Sequence, residues 1–196
     1  RGDLGGGELL TEESPSGAGF LAAVSRAWEA AARPAEAATR VVRARTGVVL
    51  GPGAQALRAQ IATTRLGLGA RLGDGRQYWP WISLRDEARA WQFVLRAESI
   101  AGPVNLVGPT PATAGEIAQA IARALRRPCW LAIPAGPLRA VLGAAAEDLL
   151  LASAPVRPAV LEAGGFEFLD STVESAIGTA WGARPQSRAR LRKRAL

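Results

Sequence analysis

Short β-branched stretches alternate with capped, amphipathic helices along most of this sequence, and that alternation restricts the fold more than any other feature. Residues 39–50 are rich in valine and threonine and run into Gly51-Pro52-Gly53, which predicts a strand and a sharp turn. Residues 77–82 form a short aromatic extended segment. Residues 103–107 and 130–133 read as strands, and 166–168 as a brief extended piece. Between them lie helical patterns. In 17–32, Phe20, Val24 and Trp28 recur at every fourth position, and Arg33-Pro34 closes the pattern. Further helices are predicted over 54–66 and from 84 to about 97, the latter with Leu84, Ala88, Trp91 and Leu95 as its apolar stripe. Ser83-Leu84-Arg85-Asp86 opens that helix as a capping box, and Thr113-Ala114-Gly115-Glu116 opens another with Ile117, Ile121 and Leu125 inward. Two helical stretches follow over 135–152, and Ser171–Glu174 caps a last helix. Strand, helix, strand in this order predicts an α/β fold, with helices packed on a largely parallel sheet. Residues 1–19 read as a loop, and no internal repeat is present.

Of 196 residues, 48% are hydrophobic and 21% charged, which suits a packed core and excludes disorder over most of the length. No apolar run reaches the roughly 18 residues that span a bilayer, so no transmembrane segment is expected, and the polar, glycine-rich opening gives no expectation of a secretory leader. There is no histidine, which removes the commonest general base and metal ligand. There is no methionine either, so the sequence is expected to lack its translated front end. Cys129 is the one cysteine and cannot form an internal disulfide. In Pro128-Cys129-Trp130-Leu131 it reads as a small buried hydrophobe, with a reactive thiol as the alternative, and a reducing intracellular compartment fits. Among the 24 basic residues only Lys193 is lysine, a bias that suits a GC-rich coding sequence. Six of them, Arg184, Arg188, Arg190, Arg192, Lys193 and Arg194, fall in 182–196 with no acid, so the remaining 181 residues carry only +1 of the net +7. This basic tail is either a solvated end or a contact for an anionic partner: nucleic acid, membrane surface or acidic protein.

Glycine clusters invite a nucleotide-binding reading. Gly67, Gly69 and Gly73 have roughly the spacing of a dinucleotide loop, but no helix is predicted after them to present its N–H groups to a pyrophosphate. Gly47–Gly53 does leave a strand, yet Pro52 removes a donor, so a turn is the better reading. Tyr78-Trp79-Pro80-Trp81 is either a pocket wall or a packed corner.

Several motifs in order resemble one family. They are Phe20-Leu-Ala-Ala-Val24 with Trp28-Glu29, Arg45-Thr-Gly-Val-Val-Leu-Gly-Pro-Gly53, Arg65-Leu-Gly-Leu-Gly69, Gly73-Asp-Gly-Arg-Gln77, Trp81-Ile82, Asp86, Gly102-Pro-Val-Asn105 and Ala163-Gly-Gly-Phe-Glu-Phe168. The chain is similar over about residues 8–180 to an atypical epimerase-family branch of the extended short-chain dehydrogenase/reductases, some plant members of which are described as chloroplast division-inhibitor-like. The resemblance implies the rear part of a Rossmann-like parallel sheet over 1–100, lacking the glycine-rich nucleotide loop. It implies a small C-terminal α/β substrate-side domain over 101–181, whose segments interleave with the sheet, and leaves 182–196 as the basic tail. NADP or NAD is the implied cofactor if a front half exists, with none expected for this chain alone.

Catalytic relatives carry a tyrosine and, four residues on, a lysine that lowers the tyrosine pKa and holds the ribose. The resemblance places Phe20 and Val24 at those positions, and neither transfers a proton. A segment usually Trp-Ile-His-x-Asp-Asp reads Trp81-Ile82-Ser83-Leu84-Arg85-Asp86, so Ser83 replaces the histidine and Arg85 the first aspartate. The implied cofactor contacts are Thr46, Gly47 and Val48, and the implied substrate cleft is Arg65, Arg71, Gln77 and Trp81. No catalytic residue and no metal ligand is assigned. Two functions follow as expectations. One is an epimerase/reductase-like protein whose Tyr–Lys pair is replaced. The other is a non-catalytic structural or assembly subunit of a larger, organellar complex, because a stable α/β surface can be reused while its site decays. RNA binding through the tail is a third, and a chloroplast or mitochondrion is the compartment the family suggests.

Overall fold

The computed structural model describes residues 9–143 and 146–182; the basic tail beyond Gly182 lies outside them. Helix α1 (Phe20–Ala32) continues through a 3-10 turn (Arg33–Ala37) to strands β1 (Val42–Thr46) and β2 (Val48–Leu50). A second 3-10 turn (Gln55–Leu57) runs into α2 (Arg58–Arg65), followed by β3 (Gly69–Leu72), β4 (Tyr78–Trp79), β5 (Trp81–Ser83) and α3 (Leu84–Arg96). Then come β6 (Gly102–Leu106), β7 (Ala112–Thr113), α4 (Ala114–Ala124), β8 (Cys129–Ile133) and α5 (Ala135–Leu142). A π-type turn (Glu147–Leu151), α6 (Ala159–Ala163), α7 (Val173–Ile177) and a second π-type turn (Gly178–Gly182) complete the described chain.

The predicted α/β class is what the strands build. β1 pairs with β6, β2 with β5 and β3 with β8, all parallel, while β4 and β7 pair antiparallel. Strands from the first hundred residues therefore pair with strands beyond them, and the two stretches interleave. Parallel pairing requires crossovers, and α3 supplies the one that brings the chain back to β6 beside β1.

Residues 39–50 read as one strand but are two. Gly47 is the break: its N–H donates to the Leu106 carbonyl at 3.0 Å, and the next N–H, of Val48, donates to the Pro80 carbonyl at 2.7 Å. The chain thus changes partner from β6 to β5 within one residue. A Cβ at position 47 would stand 2.7 Å from the Pro80 oxygen, so only glycine lets the backbones approach this closely. Pro80 divides 77–82 in the same way, because it has no N–H to continue a ladder. The break hands the segment from the β4–β7 pair to the β2–β5 pair.

Side chains alternate across β5, and that alternation links two cores. Trp81 joins Leu50, Ile61, Ile117, Ile121 and Ile177 on one side. Ile82 joins Val94, Val104, Leu106 and Leu161 on the other. The residues read as an opening loop are anchored: Leu10 is 4% exposed and bridges Val156, with hydrogen bonds from its N–H to Pro155 O and from Arg157 N–H to its carbonyl, both 2.8 Å.

Two sequence expectations change. The apolar stripe of α3 faces outward: Leu84, Trp91 and Leu95 are 49%, 41% and 68% exposed, while Asp86, Glu87, Ala90 and Val94 form the buried face. The helix is apolar on two sides, and periodicity alone cannot say which side finds a core. The last helix is capped by Thr172, whose hydroxyl accepts from Ser175 N–H, and not by Ser171. Residues 166–168, read as a brief extended piece, join no strand pair among the described residues, and Phe166 packs edge-on between Phe93 and Phe168 at 5.4 and 4.8 Å between ring centres. The Thr113–Glu116 capping box forms fully, with Thr113 N–H donating to Glu116 at 2.7 Å.

The close approach at Gly47 yields a test. Gly47→Ala forces the two strand pairs apart and costs about 2 kcal/mol in urea denaturation, the middle of the range for overpacking. Gly136→Ala, where an added Cβ on α5 meets nothing within 4 Å, leaves stability unchanged or raises it by about 0.5 kcal/mol.

Candidate functional site at the strand ends

Parallel α/β sheets bind ligands in the crevice beyond the carboxyl ends of their strands, where neighbouring strands diverge. Here β1 and β6 end side by side at Thr46 and Leu106, and the chain at Gly47 leaves β6 for β5. The expected cofactor contacts, Thr46, Gly47 and Val48, occupy this divergence. Their polar groups are already in use: the Gly47 and Val48 N–H groups hold the strand junction, and the Thr46 hydroxyl donates to Glu87 Oε1 at 3.2 Å.

Trp81 lies across the junction from Val48 but is only 1% exposed. Its ring covers Gly108, where a Cβ would stand 2.8 Å from the indole, and its Nε1 donates to Thr110 O at 2.9 Å. It fixes the loop after β6 from inside. Gln77 is buried too, and its amide nitrogen donates to Leu72 O and Leu150 O at 3.0 Å each, tying β3 to the π-type turn. Among the described residues its buried Oε1 has no hydrogen-bond partner. Arg71 is exposed on β3 and packs its stem at 3.6 Å from the Cβ position of Gly75, in the turn that leads towards β4. Arg65 stands apart at the end of α2, on the rim of a groove of about 340 Å³ with Gly53, Arg58, Ile61 and Trp181. The structure thus brings Trp81 to the Thr46–Val48 junction, while Arg71 and Gln77 lie along the β3–β4 segment and Arg65 lines the groove beside α2.

Sequence reasoning missed two clusters of buried carboxylates. Glu87, in the first turn of α3, accepts from Trp91 Nε1 at 2.9 Å and from Thr46, both at Oε1, while its Oε2 is buried with no partner among the described residues. Burial pushes its carboxyl above the ordinary range, against the lowering effect of the Trp91 and Thr46 hydrogen bonds. In the sequence it looks like any acid in a helical first turn. The second cluster joins α3 to the segment before α7. Asp86 leaves the capping box half made: Ser83 accepts from its N–H, but its carboxylate accepts from Leu169 N–H at 3.0 Å, Asp170 N–H at 2.8 Å and Arg89 at 3.0 Å. Asp170, 1% exposed, receives Arg85 Nη2 at 2.6 Å and Ser175 Oγ at 2.6 Å. Burial alone would raise the Asp170 pKa. Hydrogen bonds from Arg85, Ser175 and Ser83 outweigh it and hold the carboxyl below its usual range. Ser83 and Arg85, the two departures from the family pattern, therefore both serve one buried aspartate. Cys129 is half-buried, and burial pushes its thiol up in spite of nearby Arg71, which makes a thiolate less accessible.

Comparisons with known proteins agree on one relationship. A family profile described as a domain of unknown function (DUF1731) matches residues 133–180. An epimerase family protein of Mycobacterium bovis is 46% identical over 173 residues, which cover 88% of this chain and 58% of that protein. A chloroplastic epimerase family protein of Arabidopsis thaliana is 37% identical over 86% of this chain and 48% of its own length. Among solved structures, the human epimerase family protein SDR39U1 (isoform 2) with NADPH superposes with a TM-score of 0.85 at 33% identity, covering 91% of this chain and 61% of the human one. The chain spans about half to three-fifths of the length of these relatives.

The two carboxylates give opposite pH signatures. Asp170 has a depressed folded pKa, so its contribution is present above the unfolded value of about 3.9 and is lost as pH falls through the folded one. Asp170→Asn is expected to cost about 2 kcal/mol in urea denaturation at pH 7, with the gap to the parent closing below about pH 4. Glu87 has a raised folded pKa, so stability is complete below its unfolded value and falls as pH rises through the folded one. Glu87→Gln is therefore more stable than the parent at pH 8, and the gain disappears in acid. The same urea series reads it.

Proposed function

The chain belongs to the epimerase family of short-chain dehydrogenase/reductase-like proteins, with a Rossmann-like α/β fold, and on that premise we propose that it is the rear part of a nicotinamide-nucleotide-binding protein. In this reading Thr46, Gly47 and Val48 border the cofactor at the strand junction. Trp81, Gln77 and Arg71 shape the substrate side, with Arg65 at its far rim. The observation that carries it is the superposition on a human relative whose structure is described with NADPH.

The residues described here do not by themselves fit a dinucleotide. The glycines at 67, 69 and 73 lead into β3 and a turn, and no helix N-terminus follows them. The N–H groups of Gly47 and Val48 are bonded within the protein. The pyrophosphate cradle is proposed to lie in the part of the family fold that this sequence does not cover. When bound, a nicotinamide supplies hydride transfer.

The standard proton-transfer pair is absent at the positions the family uses. Phe20 is 74% exposed at the start of α1, and Val24 is half-buried one turn on. That pattern, together with the outward apolar faces of α1 and α3, favours a second reading: a subunit of a larger assembly that keeps the scaffold and has lost redox chemistry. The chloroplastic relative makes an organelle the proposed setting.

Titrating the full-length polypeptide with NADPH separates the readings. Saturable quenching of tryptophan fluorescence supports cofactor binding. No quenching with either NADPH or NADH, together with recovery of the protein in a large particle, supports the assembly subunit instead.

A further inference from the structure

Helices α2 and α4 pack side by side, and each ends in a left-handed turn that leads into a strand of the same parallel pair. After α2, Gly67 has φ +83°, its N–H donates to Thr64 O at 2.9 Å, and the Leu68 N–H reaches back to Thr63 O at 3.0 Å. After α4 the same turn is made by Arg126 at φ +54°, with the Arg127 N–H donating to Ala122 O at 2.9 Å. Glycine or asparagine ordinarily holds this place, because a larger L side chain is strained there. Among the described residues Arg126 is the one residue other than glycine with positive φ. Arg126 and Arg127 are both exposed on this turn.

The two turns meet. Gly69 and Cys129 open the paired strands β3 and β8, and a Cβ at Gly69 would collide with the Pro128 carbonyl, so the chains touch at their amino ends. The Trp130 indole N–H donates to Gly67 O at 3.3 Å, which ties its ring to the α2 turn. Leu66, Leu68 and Trp130 are 78%, 48% and 67% exposed, so three large apolar side chains stand in water around one turn. Among the described residues neither Arg126 nor Arg127 forms an ion pair. No aspartate or glutamate occurs between Glu36 and Asp74 or between Glu116 and Glu147, so both segments bring cations and no acid.

We propose that this patch, Leu66, Leu68 and Trp130 with Arg126 and Arg127, docks the protein on the surface of a bilayer that carries anionic phospholipid. The leucines enter the edge of the acyl region, the arginines stay with the phosphates, and the indole suits the boundary between them. Charge argues against a second copy of the chain, because a two-fold contact through one patch sets arginine against arginine with no acid from either segment. Nucleic acid would engage the arginines and leave the leucines in water. The proposal goes beyond the cofactor reading and does not depend on it. The patch lies at the amino ends of β3 and β8, Gln77 follows the carboxyl end of β3, and no residue assigned to the cofactor or substrate side belongs to the patch.

The test is flotation of the full-length polypeptide with vesicles of phosphatidylglycerol and phosphatidylcholine. Leu66→Ser with Leu68→Ser, both exposed, weakens vesicle binding by about tenfold or more at every salt concentration, because apolar transfer is not screened. Arg126→Asn with Arg127→Gln weakens it by about fivefold for each charge at low salt, and the loss shrinks as salt rises. Asparagine suits the left-handed turn, so this second variant keeps its fold. Vesicles also move the tryptophan emission to shorter wavelength, and Trp130→Phe removes most of that shift. Three results would overturn the proposal. One is no flotation with anionic vesicles at about 50 mM salt, where surface charges are least screened. Another is a leucine variant that floats as the parent does, which would place the contact elsewhere in the chain. The third is a parent that light scattering shows as a dimer and a leucine variant that it shows as a monomer.

Discussion

The close backbone contact at Gly47 is the constraint on which the rest of the arrangement depends. Two successive N–H groups point to different strands, one to Leu106 in β6 and one to Pro80 before β5. Each alone is a modest interaction, about 1 kcal/mol net. Together they fix where one parallel pair ends and the next begins. The loop after β6 then folds back onto Trp81, with the Gly108 N–H donating to its carbonyl, and the indole closes over that glycine. The divergence of the two strand pairs follows from a position that cannot carry a side chain.

Buried carboxylates make the second layer of organisation. Asp86 and Asp170 are almost fully satisfied, by backbone N–H groups, hydroxyls and arginines, and they join α3 to the approach of α7 across more than eighty residues of sequence. Glu12 does similar work near the start of the described chain: its Oε1 accepts from Asn105 N–H at 2.9 Å, in the middle of β6. Glu12 and Glu87 differ from the two aspartates, because among the described residues each has one buried oxygen without a partner, and Glu87 sits beside Thr46. A half-satisfied carboxyl beside the strand ends is the kind of group whose protonation a ligand can shift.

Local signals were the legible part of the sequence. The Thr113–Glu116 box forms as read, because every atom it needs lies within four residues. The strand–helix alternation gave the class, since period and turn chemistry are also local. What needed the third dimension was not legible. Nothing local distinguishes residues 39–50 from one continuous strand, because the break depends on Pro80, more than thirty residues away. The stripe Leu84–Trp91–Leu95 carries a stronger apolar signal than the face that is buried, whose Asp86 and Glu87 look like surface acids. The proposed site residues show the same limit. The family resemblance could name Gln77 and Trp81, but not that both are enclosed and bonded from within.

Amide hydrogen exchange of the full-length polypeptide, with and without saturating NADPH, tests the central claim most directly. If the strand junction borders a nicotinamide nucleotide, peptides covering residues 45–50 slow markedly when NADPH is added, while those covering 159–177 keep their rates. Unchanged exchange over 45–50 at saturating NADPH would contradict the account.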